Sequence, residues 1–148
     1  MKKTKYLLLV ISLIILGLLV LFITNMPPSS IPAGQTKSFE NIIFDVYKME
    51  LYSASGAVKK TDSLHNRLII IKDGKFEVLN NDTPTINISL NGDFVSTEIK
   101  NIYKAYGREN DGTEVFIVIR EGWFSYSRVE IEYRNQGKII MTCDENKK

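Results

Sequence analysis

The residue types that most often perform catalysis are scarce in this chain. His65 is the only histidine and Cys143 the only cysteine among 148 residues. They could in principle form a Cys-His nucleophile pair, but a solvated loop histidine and a small buried thiol are the simpler interpretations. One histidine and one thiol do not make a His-rich or Cys-rich zinc site. The sequence therefore predicts no metal site, and a disulfide within the chain is impossible.

Known catalytic motifs are also missing from the sequence. The chain contains no Walker loop, no GxSxG, no HExxH and no CxxC, the patterns that position phosphates, acyl groups, zinc or redox thiols. Seventeen acidic residues are present, so hydrolysis by paired carboxylates stays open, although nothing singles out a pair. We expect no catalytic residue and no cofactor, and we favour a protein that is not an enzyme.

Aromatic side chains are the other group that could bind a ligand. Six of them fall in two predicted strands, 93–108 and 123–134, that should lie close together: Tyr103, Tyr106, Trp123, Phe124, Tyr126 and Tyr133. Lining a β-barrel, they could hold a lipid or another small apolar molecule. Eight strands enclose barely enough room for a ligand, so packing of these side chains into a solid core is the alternative.

The N-terminal segment predicts a membrane anchor. An aliphatic run from Leu7 to Ile23 is interrupted only by one serine and one glycine, and with its flanking residues it is about as long as the shortest bilayer spans. Three lysines precede the run, and no acidic residue occurs before Glu40. Because basic residues favour the cytoplasmic side, we expect residues 1–24 to be a single-pass anchor in contact with lipid, with the remaining chain outside a plasma or inner membrane.

A cleaved signal peptide is the alternative to this anchor. Cleavage after Ala33 would release a secreted domain, but Ile31 occupies a position where a small residue is preferred. Residues 25–37 contain three prolines and predict a tether, followed by a domain over 38–144 and a polar tail over 145–148.

Apart from the three N-terminal lysines, the chain contains 16 basic and 17 acidic residues. A net charge near −1 indicates no nucleic-acid partner.

Tight turns between apolar runs predict the architecture of the domain. Glycine follows Asp73, Asn91, Asp111, Glu121 and the pair Asn135-Gln136, and such pairs favour hairpin turns with positive φ. The sequence predicts a mainly β fold, an antiparallel meander of about eight strands over 39–52, 66–72, 75–80, 85–90, 93–108, 113–120, 123–134 and 138–143. The meander closes into an up-and-down barrel, lipocalin-like in architecture alone, or stays a strongly twisted open sheet.

In three stretches the apolar and polar side chains do not alternate regularly, as they would along a single strand. In 39–52 the apolar residues change from even to odd positions, which fits a strand with a β-bulge or a short amphipathic helix. A change of parity between Tyr126 and Val129 predicts another bulge near Ser127-Arg128. Residues 53–66 contain few apolar side chains and predict one long loop, a place where β proteins often carry functional residues.

Two functions from different classes follow from these features. The first is a non-enzymatic, membrane-anchored module that binds a protein partner or assists a membrane or envelope complex. The second is a carrier or sensor of a small apolar ligand inside a barrel. An enclosed cavity would favour the carrier, whereas a solid core with a bare strand edge would favour the protein-binding module. The sequence indicates neither a ligand nor an oligomeric state.

Overall fold

The computed structural model describes residues 2–24, 31–122 and 126–145, and for residues 2–9, 24, 64 and 65 it describes only the backbone. One helix precedes a sheet of antiparallel strands. The elements are α1 (Lys2–Thr24), β1 (Thr36–Lys37), β2 (Ile42–Tyr52), β3 (Val58–Lys72), β4 (Lys75–Asn80), β5 (Thr83–Leu90), β6 (Phe94–Ser96), β7 (Ile102–Glu109), β8 (Glu114–Glu121), β9 (Tyr126–Tyr133) and β10 (Gly137–Glu145).

The predicted antiparallel meander is confirmed, and its pairings form a ring. Strands β2 to β5 pair in sequence order, as do β7 to β10. Strand β2 also pairs with β10, and β5 pairs with β7, so the eight strands close on themselves. The short strands β6 and β1 extend the sheet beside β7.

The ring has two ends, which we call the entry end and the far end. The entry end carries residues 31–41, the β6–β7 connection over 97–101 and the end of β10. The far end carries the β2–β3 turn over 53–57 and the β4–β5 turn at Asn81-Asp82. The chain therefore enters the fold at the end opposite to these two turns.

Alternating side chains from all eight strands of the ring point inward and form one core. Fully buried members include Phe44, Ile69, Ile71, Phe76, Val78, Ile88, Ile117, Ile119, Val129, Ile131 and Met141. Phe39 closes the core at the entry end, where its ring packs edge-on against Phe94 at 5.0 Å and against Tyr103 at 5.3 Å between centroids. Edge-to-face packing of this kind adds to the stabilisation from apolar burial.

The described part of the predicted tether is docked on this core. The Gly34 amide donates to the Ser96 carbonyl at 2.9 Å, and β1 pairs with β6. Ile31 is partly buried against the core. Residues 31–37 therefore belong to the domain, which corrects the prediction of a tether over 25–37. Strand pairing and apolar contact outweigh the prolines and glycine that suggested an extended linker.

Residues 42–52 form a strand with a bulge, so the helical alternative for 39–52 is wrong. The registers with β3 and with β10 both shift beside Tyr47. Val46 precedes the bulge and is buried in the core, and Met49 follows it and packs against the same core. The extra residue explains the change of parity, because it returns the apolar side chains to the interior.

The long loop predicted over 53–66 is also wrong. Only residues 53–57 form the turn, and β3 begins at Val58. Residues 58–63 pair with β2. Their mostly exposed, polar side chains give no apolar alternation, so the sequence pattern could not distinguish this strand from a loop.

The predicted strand 93–108 is two strands joined by a tight connection. Strand β6 ends at Ser96 and β7 begins at Ile102, directly after Asn101, which has a positive φ of 59°. Asn91-Gly92 does not close a hairpin between β5 and β6, because β5 pairs with β7, with Leu90 opposite Gly107. The turn residues predicted a reversal there but not the partner of the strand.

The bulge predicted near Ser127-Arg128 is not present in the described part of β9. From Tyr126 onward, this strand pairs with β10 and β8 without a shift of register. Tyr126 is 43% exposed, whereas Ser127 and Val129 are buried. Tyr126 therefore lies on the outer face and does not join the apolar interior.

Helix α1 includes the predicted anchor. Among the residues described with their side chains, which in α1 are 10–23, we find no helix that is long and apolar enough to cross a membrane. The anchor stays a prediction.

Candidate functional site

The aromatic residues predicted to bind a ligand do not surround one space. Tyr103 is 1% exposed and lies in the core, whereas Tyr106 is 60% exposed and lies on the outer face. The Tyr106 ring packs against the Phe116 ring there, with 4.6 Å between the ring centroids. Tyr126 is also exposed, and Tyr133 packs against the core. Trp123 and Phe124 lie outside the described residues. Of the four tyrosines predicted for this site, Tyr106 and Tyr126 are thus separated from the interior by the sheet.

Tyr133 uses its hydroxyl group for a contact within the fold. Its hydroxyl donates to Glu109 Oε1 at 2.7 Å. Burial, and then this hydrogen bond to a carboxylate, raise the pKa of Tyr133. The phenol therefore stays protonated and connects β9 to β7.

Side chains fill the interior of the ring. Large residues with less than 2% exposure come from the entry segment and from most of the strands, among them Phe39, Phe76 and Ile117. The described clefts, with volumes of about 240 to 500 Å³, are open to solvent. Among these clefts none is an enclosed cavity of the size that ligand carriers use.

Cys143 is not a nucleophile in the folded chain. Its side chain is fully buried, and its Sγ lies 3.4 Å from the Ser127 carbonyl oxygen. Burial, followed by the charge of Asp144, raises the pKa of this thiol to about 12. The thiolate is the reactive form, so the folded protein holds Cys143 inert. The side chain of His65 lies outside the description, and the described residues contain no group of three His, Cys, Asp or Glu that could hold a metal.

A buried carboxylate surrounded by three cations occupies the outer face of β8, β9 and β10. Glu130 is 2% exposed. Arg120 Nε lies 2.9 Å and Arg128 Nε 3.3 Å from its Oε1, and Lys138 Nζ lies 3.3 Å from its Oε2. The side chains of the three cations are 36–44% exposed. One anionic side chain therefore links three neighbouring strands.

The environment of Glu130 keeps it charged. Burial alone raises the pKa of a carboxylic acid, but the hydrogen bond from Arg120 and the charges of Lys138, Arg120 and Arg128 together outweigh burial and lower the pKa of Glu130. The cluster carries two surplus positive charges on the outer face. Its geometry fits a structural ion-pair network, because the carboxylate is covered by its own partners.

A second polar cluster fixes the entry segment to the ring. Lys37 Nζ lies 2.5 Å from Glu121 Oε1, and it also stands over the rings of Phe39 at 5.0 Å and Tyr103 at 4.7 Å. Burial, and then the charge of Glu121, raise the pKa of Tyr103.

The far end has an open strand edge. Strand β3 pairs with β2 from Val58 onward, but β4 pairs only with Arg67–Lys72 of β3. Residues 58–63 therefore pair on one side only, as far as the described residues show. Val58 is 55% exposed, and Lys60 Nζ forms an ion pair with Asp62 Oδ2 at 2.8 Å. We call residues 58–63 the open edge.

A cleft of about 500 Å³ lies where the open edge meets the β4–β5 turn. Asp45, Val46, Asn66, Arg67, Leu68, Asn81 and Asp82 line it. The Asn81 amide donates to the Asn66 carbonyl at 3.0 Å, so this turn ends the open edge. Arg67 Nη1 lies 3.1 Å from Met49 Sδ, and its Nε is buried without a hydrogen-bond acceptor among the described residues.

Sequence reasoning missed both the open edge and the Glu130 cluster. The residues of the open edge, VKKTDS, were assigned to a loop. Glu130 and Glu132 alternate alike with apolar neighbours, so no local pattern separates the buried carboxylate from the more exposed one. Only the pairing of β8, β9 and β10 brings the three cations to Glu130.

Comparison with protein-family models, with curated proteins and with solved structures gave no match for this chain.

Proposed function

We propose that this chain is a membrane-anchored, extracytoplasmic β module that is not an enzyme and that binds a protein partner or assists a membrane or envelope complex. The open edge of the ring carries this proposal. Unpaired backbone groups on a strand edge are a template for an added strand. The filled interior supports binding of a macromolecule at the surface over carriage of a small molecule inside.

The anchor in this proposal rests on the sequence and on the form of α1. The helix has 23 residues, which corresponds to about 34 Å, against about 30 Å for a hydrocarbon core. Leu13, Ile14, Leu16 and Leu18 are each 57–62% exposed, and burial in lipid would remove that apolar surface from water. The proposed span also uses Leu7, Leu8 and Leu9, whose side chains lie outside the description.

The outward orientation rests on charge. The three lysines before the apolar run favour the cytoplasmic side of the membrane. The ring follows the helix, and its buried core supplies the apolar surface that a small domain without disulfides needs. We infer that this domain stands on the opposite side of the membrane from the lysines.

The test is capture of the full-length chain from host membranes after brief chemical crosslinking, with retained proteins and small molecules both identified. We expect a protein in near-stoichiometric amount. A matched control carries the same helix and residues 25–30 fused to an unrelated soluble domain. Loss of the protein from this control would assign binding to the ring, because the helix is common to both chains.

Two outcomes would overturn the proposal. Stoichiometric retention of a lipid or another apolar molecule, without a protein, would favour the carrier. Recovery of a soluble chain that begins near Gly34 would exclude the anchor. Protease treatment of sealed vesicles checks orientation, since we expect the ring to be digested from the side opposite the lysines.

A further inference from the structure

The open edge is the longer of two interruptions in the pairing of the described ring; the other is residues 83–87 of β5, which pair with β4 only and include Pro84, a residue without a backbone N–H. Strand β3 has 15 residues and β4 has 6, so the first part of β3 extends past its neighbour. Alternate residues of an antiparallel strand direct their N–H and C=O groups away from the paired side. About half of the residues in 58–63 therefore present backbone donors and acceptors to an incoming strand.

The chemistry of the open edge favours an acidic segment. Lys59 and Lys60 are both exposed, and Asp62 is the single acidic residue of the edge. Since Lys60 forms an ion pair with Asp62, the open edge has a net charge of +1, which Lys59 carries. An added strand with carboxylates opposite the lysines would form cross-strand ion pairs, whereas a basic strand would be repelled.

A second copy of this chain is a poor occupant of the edge. Two identical edges that pair antiparallel are related by a twofold axis normal to the sheet. That axis reverses the strand direction, so the entry ends of the two copies would point in opposite directions. From Thr24 to Ile31 the chain spans at most about 25 Å, so two anchors in one membrane would oppose this arrangement.

We propose that the open edge, residues 58–63, binds an extended acidic segment of a partner protein as an added β-strand. This inference rests on the proposed function and names its surface and the chemistry of its partner.

The probe is a short synthetic peptide with two adjacent glutamates between threonines, so that a carboxylate is present on each face of the added strand, and it is titrated onto the full-length chain in nanodiscs. We expect saturable binding, with hydrogen exchange of the amides in 58–63 slowed by about tenfold or more, as for hydrogen-bonded strands. Two control peptides test the mode of binding. Replacement of glutamate by lysine removes the charge complementarity, and N-methylation of alternate amides removes the strand hydrogen bonds.

A matched pair of double variants locates the site. Lys59→Glu with Lys60→Glu should weaken peptide binding by about tenfold, as expected for reversal of two cross-strand pairs. Lys72→Glu with Lys75→Glu makes the same charge change on exposed residues at the other end of the β3–β4 hairpin, and it should change binding by less than about twofold. All four side chains are exposed, so both variants should fold.

Several results would overturn the inference. They are no binding of the glutamate peptide, no protection of residues 58–63, or equal weakening by the two double variants. A crosslinked dimer joined through the open edge would show that a second copy is the occupant. If a captured native partner stays bound to the Lys59 and Lys60 variant, the proposed function stands and this edge is not its surface. If the wild-type chain captures no protein, the proposed function itself fails.

Discussion

At the scale of single residues, Glu130 shows how a carboxylate on the outer face of a sheet becomes buried. Its three basic partners come from β8, β9 and β10, and their long side chains cover it. Val118 and Ile140 lie opposite Glu130 on the neighbouring strands and are also 2% exposed. The ion-pair network therefore shields an apolar strip as well as a charge, since long basic side chains cover apolar surface.

We predict that Glu130→Gln destabilises the domain by about 1–3 kcal/mol at neutral pH. The amide cannot balance the three cations, but those cations are partly exposed and recover hydration, which limits the loss. The lowered pKa of Glu130 means that its contribution is present above the ordinary glutamate value near 4.3 and is lost as pH falls through the lower, folded-state value. Urea unfolding at several pH values measures both effects.

The control for this prediction is Glu114→Gln. Glu114 also accepts an arginine contact at 2.9 Å, from Arg108, but both side chains are more than half exposed. An exposed pair of this kind contributes little, so we expect a change within about 0.5 kcal/mol. Similar losses in the two variants, or a loss at Glu130 that does not shrink below about pH 4, would contradict the structural role assigned to the network.

At the scale of elements, the β9–β10 turn is constrained by the strand beside it. Gly137 has a φ of 113°, and a Cβ at this position would lie 2.1 Å from the Tyr52 carbonyl oxygen. Because that oxygen belongs to the backbone of β2, a side-chain rotation cannot relieve the contact. The glycine thus lets β10 approach β2 closely at the far end.

We predict that Gly137→Ala destabilises the domain by about 3 kcal/mol or more, because steric overlap adds to the cost of positive φ. Gly112→Ala is the comparison, since Gly112 has a φ of 89° and a Cβ there would meet no atom within 4 Å. For this variant we expect a loss of about 1 kcal/mol from backbone strain alone. Denaturant titration followed by circular dichroism measures both; equal losses would mean that the contact with Tyr52 is relieved at no cost.

Turn chemistry made many of these elements predictable from sequence. Asp73-Gly74 takes positive φ at both residues, at 53° and 68°, and closes β3 onto β4 as expected. Asn91-Gly92 signals a reversal equally well, but the Asn91 amide donates to the Tyr106 carbonyl, and β5 pairs with β7. Local turn residues predict a change of direction, whereas the partner of a strand depends on distant residues.

The alternation of side chains along a strand already separates two members of the predicted aromatic site. Tyr103 and Tyr106 are three residues apart in one strand, so their side chains point to opposite faces. The open edge escaped detection. Its lysines and threonine are exposed on a strand whose neighbour ends early, and no pattern within residues 58–63 records the length of β4.

At the scale of the whole molecule, the entry end and the far end have different roles. The entry end contains Phe39, β1 and the Lys37–Glu121 contact, which join the segment after the proposed anchor to the ring. The far end contains the open edge. If the helix is the proposed anchor, this division puts the proposed partner surface at the end of the ring opposite to the segment that follows the anchor.

The last prediction tests whether the entry segment is part of the folding unit. A chain that begins at Ile31 should unfold cooperatively, whereas one that begins at Asn41 lacks Phe39, β1 and Lys37 and should be less stable by at least about 3–5 kcal/mol, the usual cost of deleting a buried phenylalanine. Phe39→Leu in the longer chain distinguishes the contribution of the Phe39 side chain from that of β1, because it keeps β1 and most of the buried apolar volume. For this variant we expect a loss of about 1–2 kcal/mol. Thermal and urea unfolding measure all three chains. Equal stability of the two lengths would show that residues 31–40 are a passive linker, and the assignment of this segment to the folding unit would then have to be abandoned.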